Sequence, residues 1–174
     1  MIALTQLTEQ DFEKMAREIQ EISETRTEDN LYEAIGYALY DSGYAVATSN
    51  SFAILQPKMY NERVEKFNMQ KSIDYVADIQ PLKADEARKE GKRFWGRFKN
   101  TLKKVICSDE KVAKLINGEG TLKDYLITGI PLIITALGAS ALNPVVLAIV
   151  AAVLALIVKI GFAAYCEIEN ISAS

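Results

Sequence analysis

The apolar positions of this chain fall into a helical rhythm almost from the start. Phe12, Met15, Ala16, Ile19 and Ile22 recur three and four residues apart behind Thr8 and Asp11, a pairing that caps helix starts. The spacing predicts a helix over 9–25 with one buried face. Leu31, Ala34, Ile35, Ala38 and Leu39 repeat the pattern after the Thr27-Glu28-Asp29-Asn30 cluster, and Asp41-Ser42-Gly43 ends it. Residues 44–56 read as weak strand or irregular, with Ser49-Asn50 able to turn a β-hairpin and the alanine content allowing helix. From Pro57 to Ile79 the residues Tyr60, Val64, Phe67, Ile73 and Val76 return to mostly helical spacing, and Pro81 stops them. No internal repeat or low-complexity tract is present.

Residues 84–107 form a strongly two-faced helix. Ala87, Phe94, Trp95, Phe98, Leu102, Val105 and Ile106 line one side, while Arg88, Lys89, Lys92, Arg93, Lys99 and Lys103 occupy the others. Such a helix can dock on an anionic membrane, with Arg88, Lys89, Lys92, Arg93, Lys99 and Lys103 held by surface potential and Trp95 at headgroup depth. The plainer reading is a bundle helix with Trp95 in the core and a solvated basic face. Nucleic acid is disfavoured, because no recognised binding motif accompanies the charges and the whole chain is acidic. Ser108-Asp109 caps a short helix closed by Asn117-Gly118, and Thr121 with Asp124 forms a second capping box. NGEGT between them lacks the spacing and the lysine of a phosphate loop, so it reads as a stop followed by a start.

From Tyr125 to Val158 there are 34 residues without a formal charge. The run predicts two helices, the first kinked at Gly129 and Pro131, joined by a hairpin turn at Gly138, Asn143 and Pro144. The second is expected to continue from Pro144 to about Cys166, long enough to span a bilayer if Lys159 snorkels to the interface. Ala148, Ala151, Ala152 and Ala155 make a small-residue stripe for close helix–helix packing in either solvent. The expected fold class is therefore mainly α: an amphipathic helical bundle with a strongly apolar C-terminal hairpin. Its organisation is an N-terminal region 1–82, a basic segment 83–117 and a hairpin 121–168, in one compact unit. In layout alone this is similar to colicin-type pore formers and the Bcl-2 group, with no sequence motif of either and no residue carried over.

Charge and reactive residues narrow the function classes. The net charge is only -3, yet residues 1–30 carry eight acids against three bases and residues 83–114 carry eleven bases against five acids, so the chain is electrically polarised. With no histidine, the usual general base, nucleophile partner and metal ligand are missing. No motif calls for a cofactor or a metal, and the expectation is a non-enzymatic protein. The start lacks the basic and apolar regions of a secretory signal, which points to the cytoplasm, with association at the cytoplasmic membrane as an option. Cys107 and Cys166 are expected as free thiols, too few and too far apart for a disulfide framework. The leading functional expectation is a protein acting at or anchored to a membrane through its hairpin, up to membrane insertion or pore formation, with anionic lipid as partner. The alternative is an interaction or adaptor module, with the hairpin as permanent core and a protein or a second copy as partner.

Overall fold

A computed structural model describes residues 2–3, 7–42, 68–79, 82–139 and 141–166. The expected irregular segment 44–56, the first part of the helix expected from Pro57, and the tail after Cys166 lie outside the described residues. The molecule is mainly helical.

Among the described residues the α-helices follow one another as α1 (Glu9–Thr25), α2 (Glu28–Ser42), α3 (Met69–Ile79), α4 (Ala84–Ile106), α5 (Glu110–Lys114), α6 (Leu122–Ala136) and α7 (Pro144–Ile160). The caps form as the residue types require. Thr8 and Asp11 make a reciprocal capping box on α1, Thr121 and Asp124 make another on α6, and the Asp109 carboxylate accepts from the Lys111 and Val112 N–H groups of α5. Gly118 (φ +94°) ends a wide helical turn, Leu115–Glu119, that follows α5. Two short strands, β1 (Ile2–Ala3) and β2 (Ala141–Leu142), pair antiparallel, with Ile2 opposite Leu142.

At the centre lies α7. Every residue from Pro144 to Ile157 is buried, and the helix rests chiefly on α2 and α3, then α1, with a smaller contact to α6. A helix apolar on all sides is stable in water only when enclosed on all sides, and the amphipathic helices supply that enclosure. Met15, Ile19 and Ile22 of α1, Leu31 and Ile35 of α2, and Ile73 and Val76 of α3 join the same core. Each such Leu or Ile contributes about 1.5–3 kcal/mol when fully buried. Ser72 and Asn143, both buried, are satisfied locally: the Ser72 hydroxyl donates to the Asn68 carbonyl at 2.7 Å, and the Asn143 side chain accepts from the Val146 N–H at 3.0 Å. Arg26 ties three elements together, donating to Gln70 and Asp74 at 3.0 Å each and to Asn30 at 2.9 Å.

Two expectations are corrected here. The helix from Pro144 does not run on to Cys166. Gly161, at φ +97°, breaks it after Ile160, and residues 162–166 form a separate helical turn. At 1.5 Å per residue the 17 residues of α7 cover about 25 Å, short of the roughly 30 Å of a hydrocarbon core. No helix among the described residues is long and apolar enough to cross a membrane. The second correction concerns the cysteines, which are not free: Cys107 and Cys166 form a disulfide with Cα atoms 5.6 Å apart across a sequence separation of 59. Sequence distance was a poor guide because the chain returns after α7 to the end of α4. In a chain-entropy account, closing a loop of this length stabilises the fold by roughly 4 kcal/mol.

Helices α2 and α4 approach each other closely at two glycines. Gly36 of α2 sits on the backbone of Ala87, and Gly91 of α4 sits on the backbone of Tyr32, so the two helices cross antiparallel with no room for a side chain at either glycine. A methyl at Gly36 would run into the Ala87 carbonyl oxygen, and one at Gly91 into the Tyr32 carbonyl oxygen. Gly96, on the same helix as Gly91, has open space around it. Gly36→Ala and Gly91→Ala are therefore expected to lower stability by about 1–3 kcal/mol through overpacking. Gly96→Ala should raise it by up to about 1 kcal/mol through helix propensity. Urea midpoints of the three variants check this, and equal shifts of one sign would contradict the crossing.

Candidate functional site

Helix α4 divides its charged side chains among three surroundings. Toward α2, the Arg88 guanidinium lies 3.3 Å from the Glu33 carboxylate and 3.7 Å from that of Asp85. Lys92 lies 3.9 Å from Asp29 and 5.7 Å from the Tyr32 ring centroid. Outward, Lys89, Arg93 and Lys104 are exposed and Lys99 is half-buried, with Arg93 joined to Glu90 at 3.1 Å. Inward, Trp95 and Lys103 are each only 7% exposed. The seven residues considered for docking on a membrane therefore do not share one solvent-facing surface. Trp95 is turned from solvent by packing against Tyr165, at 6.2 Å between centroids, and Lys103 by lying over the same ring at 5.3 Å.

A cluster not foreseen from sequence gathers around that ring. Trp95, Lys99, Lys103 and Cys107 are spaced every four residues, so they form one stripe along α4. Residues 162–166 lie along this stripe. The Tyr165 hydroxyl donates to the Lys99 carbonyl at 2.6 Å, Phe162 stacks on Tyr125 of α6 at 4.8 Å, and Cys166 bonds Cys107. A tryptophan, two lysines and a cysteine at a four-residue interval were the available signal. It was hidden because the partner strip begins after a chain break at Gly161 that apolar periodicity passes over.

The residues expected at the hairpin turn take the local roles their types allow. Gly138 adopts φ +74° at the end of α6, where its N–H donates to the Thr135 carbonyl at 2.9 Å. Asn143 caps α7, and Pro144 opens it. Ala148, Ala151, Ala152 and Ala155 are all fully buried, as are their neighbours on every side of α7. On α6, Gly129 faces Leu154 of α7. The outer side of α6 bears half-buried Ile127, Thr128, Pro131 and Leu132 and exposed Thr135, with no charge among them. An open pocket of about 430 Å³ lies between this helix and α5, lined by Glu9, Lys111, Lys114, Asp124, Ile127 and Thr128 among others.

Burial pushes the Glu18 carboxyl above its ordinary value, against the opposing effect of the Met69 N–H that donates to it at 2.7 Å. Hydrogen bonds from the Thr121 N–H and hydroxyl hold the Asp124 carboxyl below its ordinary range. Among the described residues, no group of three or more His, Cys, Asp or Glu side chains could hold a metal ion. No family model, no curated protein and no solved structure matches this chain.

Because the Glu18 shift is upward, the folded state holds that proton more tightly than the unfolded state. The Glu18 contribution is then most favourable at low pH and is lost as pH rises through the ordinary value and then the folded value. Glu18→Gln keeps an acceptor for the Met69 N–H without the charge. Its stability relative to the parent should be higher at pH 7 than at pH 4. Denaturant midpoints of both proteins at the two pH values measure the difference, and a gap that widens on acidification would reverse the assignment.

Proposed function

We propose that this chain is a non-enzymatic helical interaction module, whose apolar C-terminal hairpin of α6 and α7 serves as permanent core and whose basic outer face engages an anionic partner. The observation that carries this reading is the enclosure of α7 over fourteen consecutive residues, Pro144 to Ile157. A helix so covered has its apolar surface already committed within the chain. The exposed cations Lys89, Arg93 and Lys104 of α4, with Lys111 and Lys114 of α5, then form the surface available for recognition. Acids concentrated on α1 and at the start of α2 give the opposite pole. A second copy could therefore also meet the basic face. A cytoplasmic location belongs to this reading.

The uncharged outer side of α6 supports a second reading, in which the hairpin leaves the bundle and enters a bilayer bearing anionic lipid. In that case the basic face of α4 would dock first, and Gly161 would have to straighten for α7 to lengthen toward a span. The two readings differ in what lipid does to α7.

Amide hydrogen exchange of the untagged, detergent-free protein decides between them. With phosphatidylcholine vesicles, with vesicles containing phosphatidylserine, and without lipid, α7 should keep the same protection if it is permanent core. Loss of that protection only with phosphatidylserine would overturn the module reading in favour of insertion. Changing Lys89, Arg93 and Lys104 together to Gln should weaken any salt-sensitive binding to an anionic surface while leaving helical content unchanged.

A further inference from the structure

We propose that residues 161–166 are a redox-controlled latch on the open end of α7, closed by the Cys107–Cys166 disulfide and released by a dithiol reductant. The enclosure of α7 is complete to Ile157, but beyond it Val158 is half-buried, Lys159 is exposed and Ile160 is 40% exposed. At that point the chain bends at Gly161, whose φ of +97° suits a hinge that residues with a side chain rarely adopt. The five residues after the hinge then cross to α4 and α6. Their holds there are the Tyr165 hydroxyl bond, the two ring stacks on Trp95 and Tyr125, and the disulfide. Three of these are weak individually, and the covalent bond is what makes them simultaneous.

Access is asymmetric. Cys107, at the end of α4, is half-buried, whereas Cys166 is only 4% exposed. A dithiol reductant would attack the Cys107 sulfur as a thiolate, breaking the S–S bond, and Cys166 would leave as a thiolate and take a proton. The second reductant thiolate would then attack the mixed disulfide, freeing Cys107 as a thiol and leaving the reductant as its own disulfide. In a reducing compartment, disulfides are typically transient and redox-sensing, so a bond at a hinged chain segment suits that role better than a permanent staple. The opening is intramolecular and needs no partner. It would expose Trp95 and the end of α7 while the crossing of α2 and α4 stays closed.

Trp95, the only tryptophan in the chain, reports the event directly. The full chain should be studied oxidised and after reduction with dithiothreitol, with a thiol titration confirming two free cysteines. On reduction, Trp95 emission should shift to the red. Amide exchange in the last turn of α7 and in 162–166 should rise about tenfold or more relative to α1 and α2, with helical content retained. Cys107→Ser with Cys166→Ser should show the reduced protein's behaviour whether or not dithiothreitol is added. Unchanged emission and exchange in the fully reduced protein would overturn the latch, as would the oxidised pattern in the double variant. An equal rise throughout α1 to α7, or global unfolding, would also overturn it, because the bond would then be a general cross-link.

Discussion

Everything in this fold answers to the covering of α7. A helix with apolar side chains around its whole circumference has no face it can give to water, so neighbours must surround it. Helices α1, α2 and α3 do so, each with an apolar stripe turned inward, and α6 adds a smaller contact. The demand explains why the supporting helices are arranged around the last long helix rather than in chain order, and why α7 leans more on α2 and α3 than on α6, its neighbour in sequence. It also explains the close approach at Gly36 and Gly91. Bringing α4 against the back of α2 thickens the wall without leaving a gap, and only glycine allows the two backbones to meet there.

The electrical division of the chain is partly spent inside the molecule. Arg88 and Lys92 are drawn to Glu33 and Asp29 across the α2–α4 contact, so part of the basic segment neutralises part of the acidic one. These are exposed or half-exposed pairs, worth little individually. They lie on the side of α4 that faces α2, while Lys89, Arg93 and Lys104 are outward and Trp95 and Lys103 pack against Tyr165.

Local chemistry was legible in the sequence wherever it depended on neighbours along the chain. The capping boxes of Thr8 with Asp11 and Thr121 with Asp124, the α1 stripe from Met15 to Ile22, the Asn143-Pro144 start and the Gly138 stop follow from residues within a turn of each other. What escaped was set by residues distant in sequence. The disulfide needs α7 to return its end to α4, and the inward turn of Trp95 needs Tyr165. The break at Gly161 was locally visible as a glycine but masked by the apolar residues on either side, because hydropathy does not register backbone hand. The alanine stripe lies buried with the rest of α7, and the close backbone contact of α2 with α4 rests on Gly36 and Gly91, isolated glycines that carry no periodic signal.

That the innermost helix comes after the helices that cover it has a consequence for biosynthesis. A ribosome releases the N-terminal helices first, at about 5–20 residues per second, so α1 to α4 emerge with their apolar stripes ready and the element they are to cover not yet made. Ile2, which pairs with Leu142, waits until that residue has been made. The core therefore cannot close before α7 has left the exit tunnel.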